Sequence, residues 1–141
     1  MKAIRSLFIA ALLLPFFALP LRAEASMAEY EVYFHRIPAV TAEHIKKGDT
    51  VVDGAGKGAA GVVARVTVLP CFTEVYRPES GALVCVAEEG YRDITVTIRA
   101  TAKRTKAGLQ AGTRPLLCGK TVFLHLPSLC GEGVILSVTA P

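Results

Sequence analysis

The sequence predicts an all-β domain: a small closed or partly open β-barrel of about seven or eight strands with one short helix. Three observations carry this. Short runs of Val, Ile and Thr alternate with polar residues, twelve glycines and eight prolines punctuate them, and only one segment has helical spacing. Branched side chains fit the pleated surface of a sheet, and Gly and Pro supply the turns between strands.

The elements follow in order. In Tyr30 to Ile37, residues Tyr30, Val32 and Phe34 point one way and Glu31, Tyr33 and His35 the other, the period of a half-buried strand. Pro38 suits a helix start, so Ala39 to Lys47 reads as a short helix. Its apolar face would be Val40 and Ile45, and Gly48 would be the left-handed residue beyond its end. Val51-Val52 makes a second strand, and Asp53 to Gly61 a flexible turn. Val62 to Leu69 is apolar on both faces except at Arg65 and Thr67, which predicts a strand buried on both sides. Cys71 to Tyr76 and Ala82 to Ala87 read as a hairpin around Arg77 to Gly81. Asp93 to Lys103 alternates most cleanly: Ile94, Val96, Ile98, Ala100 and Ala102 share one face, and Thr95, Thr97, Arg99 and Thr101 the other. Lys106 to Gly112 is a polar turn, and Thr121 to Leu126 and Val134 to Val138 complete the sheet.

An internal repeat runs through this pattern. Ile45-Lys46-Lys47-Gly48-Asp49-Thr50-Val51 is similar to Leu116-Leu117-Cys118-Gly119-Lys120-Thr121-Val122. Gly61-Val62-Val63 and Gly133-Val134-Ile135 then follow at thirteen and fourteen residues from Gly48 and Gly119. Two β-rich halves of this kind would close on each other about a pseudo-two-fold axis, and the helix, Gly-Asp and strand are similar to the turn element of cradle-loop barrels.

The layout also resembles a bacterial family catalogued as a domain of unknown function, with an N-terminal membrane segment and an extracytoplasmic β domain. The resemblance rests on Tyr30-Glu31-Val32, on Ile45 through Val51 with Asp53, and on Gly61-Val62-Val63, Val66, Val68 and Pro70. It continues in Tyr91-Arg92-Asp93-Ile94-Thr95-Val96-Thr97-Ile98, Gly119-Lys120, Val122 and Gly131-Glu132-Gly133-Val134-Ile135. It covers most of residues 28–138 and implies no activity. The chain departs from the family in its short, proline-broken apolar segment and in its four cysteines.

Residues 1–25 have the pattern of an export signal. Lys2 and Arg5 precede an apolar run, Pro20 ends it, and Ala23-Glu24-Ala25 offers small residues for cleavage before Ser26. A membrane span needs about 20 apolar residues, more than the stretch from Leu7 to Leu21 contains. Cleavage is therefore favoured over a retained signal anchor, with residues 7–21 as the tether in the anchored alternative. Either way, residues 26–141 form one domain outside the cytoplasm: secreted, periplasmic or on the outer face of the cytoplasmic membrane. The formal charge of +4 falls to near +2 once Lys2, Arg5, Arg22 and Glu24 are removed, too little for a nucleic-acid footprint.

Outside the cytoplasm an even count of cysteines reads as disulfides. Three pairings of Cys71, Cys85, Cys118 and Cys130 exist. Cys71 with Cys85 across the hairpin and Cys118 with Cys130 is the favoured one, each loop contributing about 3 kcal/mol through restriction of the unfolded chain. The alternative is a metal-binding or redox protein that uses these cysteines with His35, His44 and His125. The cysteine spacings lack Cys-x-x-Cys knuckles, however, and His35, His44 and His125 read individually as surface or sheet residues.

Other chemistry is thin. Gly119-Lys120-Thr121 has Arg114 where a phosphate loop needs Gly, and Gly54 to Gly58 lacks the Ser or Thr. No Ser occupies a Gly-x-Ser-x-Gly elbow. Glu88-Glu89 and the group Glu43, Asp49 and Asp53 suggest solvated or turn-ordering carboxylates. Arg92, Arg99, Lys103, Arg104 and Lys106 form a basic run that could bind an anionic polymer, with a solvated, protected sheet edge the favoured reading. The sequence thus points to a non-catalytic interaction or structural module of the cell envelope, without a cofactor. Its expected partner is an envelope protein or anionic envelope polymer, bound through a barrel face or the loops Asp53–Gly61 and Lys103–Gly112. Addition of a strand to a partner's sheet is a further mode.

Overall fold

The computed structural model describes residues 25–55 and 58–141. The expected export signal or anchor falls on residues 1–25 and, apart from Ala25, lies outside the described residues. Among those described, no helix is long and apolar enough to cross a membrane.

The elements are β1 (Ala25–Pro38), α1 (Ala39–His44), β2 (Thr50–Asp53), β3 (Ala59–Arg77), β4 (Ala82–Thr105), β5 (Gly108–Ala111), β6 (Arg114–Pro115), β7 (Thr121–His125) and β8 (Cys130–Thr139). All pairings are antiparallel. They run β1-β8-β7-β2-β3-β4, and β4 pairs back onto β1, so six strands close a ring, with β5 and β6 continuing from β4. The fold is all-β, as the alternation predicts. Inside the ring lie Tyr30, Val32 and Phe34 of β1, Ile94, Val96 and Ile98 of β4, and Val51, Val63, Val122, Leu124 and Ile135. The Tyr30 hydroxyl reaches this core because it donates to the Ala60 carbonyl at 2.9 Å; burial, above all, pushes its pKa upward.

The repeat is visible as geometry. The Gly48 N–H donates to the Val63 carbonyl, and the Val63 N–H donates to Asp49; the Gly119 N–H donates to Ile135, and the Ile135 N–H donates to Lys120. Gly48 and Gly119 both hold positive φ, +95° and +79°, a conformation that carries little penalty for glycine. Ile45 and Leu116 enter the core at matching points, as do Val51 and Val122. The registers obey the same symmetry. Val32 pairs with Val96 and Tyr30 with Ile98, so exchanging β1 and β4 maps one pair onto the other and leaves Glu31 opposite Thr97 at the centre. Across the ring, Asp53 pairs with Leu124, its own equivalent in the repeat. Between the matched parts, α1 in the first half is replaced by β5 and β6 in the second.

Three expectations are corrected. Val40 is exposed and Ala42 takes the buried position of α1, because the helix is only six residues long and ends at His44. β3 is not buried on both sides: Val63 faces the core, whereas Val62, Val68 and Leu69 are exposed, since a single ring has only one interior. Within the segment read as a polar turn, Gly108–Ala111 pairs with β4 as β5.

Candidate functional site

Two irregularities converge on one point of β4. In the β1–β4 ladder Phe34 faces Ile94 and Ile37 faces Arg92, which leaves His35 and Arg36 bulged opposite Asp93. In the β3–β4 ladder Pro70 faces Arg92 and Phe72 faces Ala87, so Cys71 stands opposite the bulged stretch Glu88 to Tyr91. Bulges re-aim side chains and are frequent beside functional sites. Here they turn His35, Cys71 and Asp93, from three adjacent strands, toward one another. The potential ligand atoms of these three residues all lie within 4.8 Å of one another.

Asp93 is the hub. Its carboxylate accepts from the Tyr33 hydroxyl at 2.8 Å and from the Arg36 backbone N–H at 2.9 Å, and it lies 2.9 Å from His35 Nδ1. Burial opposes ionisation of Asp93, but the Arg36 amide, the Tyr33 hydroxyl and the Cys71 thiol outweigh it and hold its pKa below the usual carboxylate range. Burial and then the bond to Asp93 push Tyr33 up to about 12, so it remains a donor at neutral pH. Burial, followed by the field of Asp93 and Glu88, raises the Cys71 thiol. Cys71 is therefore a protonated thiol near neutral pH rather than an activated nucleophile.

Arg36 holds the outer side of the cluster. It is the one non-glycine residue with positive φ, +55°, among the described residues, a conformation disfavoured for a side chain with Cβ. Several contacts over-determine it. Its guanidinium forks onto Glu88, with Nε 2.9 Å from Oε2, and stacks 4.4 Å from the Tyr91 ring centroid. The pair lowers the Glu88 pKa, with the Arg36 hydrogen bond as the main cause.

A second polar junction ties the start of the expected loop Asp53–Gly61 to β6, just beyond the expected loop Lys103–Gly112. Asp53, at the end of β2, pairs with Arg114 of β6; Arg114 Nε donates to Oδ2 at 2.9 Å, and Nη2 meets Oδ1. Both side chains are less than a fifth exposed. Burial pushes the Asp53 pKa up, but Arg114 and the Ala55 amide prevail and leave it lowered. This junction flanks a cavity of about 20 Å³ lined by Ala60, Ala111 and Gly112 among others, room for about one water molecule.

The third feature is a two-stranded ribbon, Phe72–Arg77 of β3 paired with Ala82–Ala87 of β4. One face carries Phe72, Tyr76 and Leu83, exposed by 56%, 58% and 65%; the other carries Val75 and Val86, also exposed. Neither outer edge is paired among the described residues, since β1 leaves β4 at Tyr91 and β2 leaves β3 at Val62.

The disulfide expectation is corrected. All four cysteines are free. The hairpin register sets Glu74, not Cys71, opposite Cys85, because the ladder is centred between Glu79 and Ser80 rather than on Pro78. Cys71 is buried and Cys85 exposed, so the two thiols point apart. Cys118 sits in the turn before β7, and Cys130 Sγ lies 3.7 Å from His125 Nε2 instead of on Cys118. His125 is exposed beside Phe123, and His44 caps its own helix by bonding the Val40 carbonyl at 2.6 Å. The basic run does not gather into one patch. Arg99 is paired with Glu29 at 2.7 Å, and Arg92 donates to the Tyr91 carbonyl. The eleven residue steps of strand from Arg92 to Lys103 span roughly 36 Å, and Arg104 and Lys106 lie beyond, at the β4–β5 turn.

Sequence reading passed over Asp93 and treated His35 as solvated and Cys71 as a disulfide partner. Their meeting depends on two bulges that no local pattern announces; Pro70 before Cys71 and Gly90 within the bulged stretch of β4 are the sequence marks. Comparison with protein-family models, with curated proteins and with solved structures returned no match.

Proposed function

We propose that this protein is a non-catalytic interaction module of the cell envelope that docks an envelope protein through the β3–β4 ribbon. The observation that carries the reading is a ribbon with exposed apolar side chains on both faces and, among the described residues, no pairing on either outer edge. A lone two-stranded hairpin is at best marginally stable in water, and Phe72 and the paired Tyr76 and Leu83 expose large apolar side chains on one face, on either side of Glu74 and Cys85, the kind of exposure that marks interaction sites. Free edges add backbone donors and acceptors for strand addition. An anionic polymer is a poorer fit, because the ribbon carries Glu74 and Glu79 against Arg77 alone. The extracytoplasmic setting belongs to the same proposal and rests on the export pattern of residues 1–25.

A photo-crosslinking residue placed at Leu83 in the full chain, in its host, tests this. The expected result is one discrete protein adduct that disappears when Phe72→Glu and Tyr76→Glu are added. The same residue at Thr101, exposed on the ring, should not yield that adduct. Equal adducts from both positions, or none from Leu83, would overturn the reading.

A further inference from the structure

We propose that His35, Cys71 and Asp93 form a three-ligand site for a divalent transition metal of the zinc class. The site sits at the root of the ribbon but does not depend on ribbon docking.

The geometry fits before any movement of the backbone. With metal bonds of about 2.0–2.3 Å, the corners of a tetrahedral zinc site lie roughly 3.4–3.6 Å apart. His35 Nδ1 and Asp93 Oδ1 are 2.9 Å apart, and Cys71 Sγ lies within 4.8 Å of both. Side-chain rotation within the two bulges therefore suffices. The donor set selects the ion class. A thiolate is a poor ligand for calcium or magnesium, whereas sulfur, imidazole and carboxylate together suit zinc. Deprotonated Cys71 and Asp93 supply two negative charges for a divalent ion, and the proton leaving the thiol goes to solvent. The site is open on one side: the Cys71 end is buried, while the His35 side chain is 60% exposed. That leaves the fourth position to water, the arrangement of three-ligand zinc sites.

The groups around the ligands are also in place. Tyr33 and the Arg36 amide hold the Asp93 carboxylate in orientation, the outer support that metal-binding carboxylates ordinarily have. The Arg36 guanidinium is turned onto Glu88 and Tyr91.

The fold itself does not require such a cluster. Carrying the β1–β4 symmetry outward, the equivalents of His35 and Asp93 are Thr101 and Met27. These occupy the opposite end of the same ladder and meet through a hydroxyl–thioether contact of 3.8 Å. At the one end the equivalent positions hold a hydroxyl and a thioether, with the Glu29–Arg99 ion pair beside them; the other gathers an imidazole, a thiol and a carboxylate.

The test uses the full chain, stripped with a chelator and titrated with Zn²⁺ against a chromophoric competitor, and with Co²⁺ as a spectroscopic probe. One metal per chain is expected, with a thiolate-to-cobalt charge-transfer band. Cys71→Ser should abolish the band. His35→Gln, at an exposed side chain that leaves the core intact, should weaken binding at least about tenfold, and Tyr33→Phe about ten- to a hundredfold. His125→Gln and Cys130→Ser, which alter the other Cys–His contact, should change neither. Absence of binding at one equivalent, a band that survives Cys71→Ser, unchanged affinity in His35→Gln, or loss of the band in Cys130→Ser would each overturn the assignment.

Discussion

Replacing Gly61 by alanine tests the closed ring where β3 and β4 approach closely. An added Cβ would lie 2.5 Å from the Arg99 carbonyl oxygen, 2.7 Å from Ile98 Cγ2 and 3.1 Å from the Ala100 Cβ. The first contact is with backbone in the centre of β4, which is held by β1 on one side and β3 on the other. It cannot retreat without breaking ladder bonds. Overpacking of this kind costs about 1–3 kcal/mol, and the φ of +139° adds a strain of similar size for a residue with Cβ. The expected loss is about 4 kcal/mol, a large share of the total for a domain of this size. At about 4 °C per kcal/mol the melting temperature should fall by roughly 16 °C.

Two other glycines calibrate the result by circular-dichroism melting. Gly81 has φ +64° but nothing within 4 Å of an added Cβ, so its alanine variant should lose only about 1 kcal/mol. Gly133 stands at the position equivalent to Gly61 in the repeat. Its added Cβ would meet Val32 Cγ1 at 2.5 Å and the Tyr33 carbonyl at 2.9 Å without a positive φ, so overpacking alone, about 1–3 kcal/mol, applies. If the loss in Gly61→Ala is within about 1 kcal/mol of that in Gly81→Ala, then β3 does not approach β4 this closely and the overpacking argument fails.

Arg114→Leu should destabilise the domain by about 1–3 kcal/mol at pH 7, since it leaves Asp53 without its charged partner. The folded pKa of Asp53 is lowered, so the pair's contribution is present above the unfolded carboxylate value near 3.9 and is lost as pH falls through the folded value. Urea unfolding should therefore show the gap between parent and variant closing below about pH 4; equal gaps at pH 7 and pH 3 would refute the pairing. Thiol labelling of the native protein should count the three exposed cysteines, Cys85, Cys118 and Cys130, and a fourth, Cys71, only after denaturation. A protein with no free thiol in denaturant would restore the disulfide reading.

The all-β class, the inward rows of β1 and β4 and the duplicated Gly-centred turn were legible because each is a local pattern. Alternation reports which side of a strand is buried, and Gly48 and Gly119 mark positive φ directly. The candidate site was not legible because it depends on register. Symmetric spacing about Pro78 set Cys71 against Cys85, but the ladder is centred a residue and a half later, and that offset moves the two thiols apart. The same limit applies to Val62, Val68 and Leu69. An apolar run cannot distinguish a strand covered on both faces from one whose outer face is bare, since only the closure of the ring decides which exists.

The symmetry also separates what the ring needs from what it carries. β8 ends at Thr139, the counterpart in the repeat of Thr67 in β3. Val68 to Arg77 therefore has no equivalent in β8, and it pairs with the leading part of β4. Val68 to Pro70 still pair with Ile94 to Arg92 beside β1, but Phe72 to Arg77 pair only with Ala82 to Ala87, and the residues that fill the ring, Tyr30, Val32, Ile98 and Ile135 among them, do not draw on that outer part. Yet the extension holds the exposed apolar faces, and its root holds Cys71 beside the bulged His35 and the Asp93 hub. An outgrowth retained only to support the fold would bury its apolar residues against the ring. Phe72, Tyr76 and Leu83 instead project into solvent, so these side chains add little to the packing of the ring.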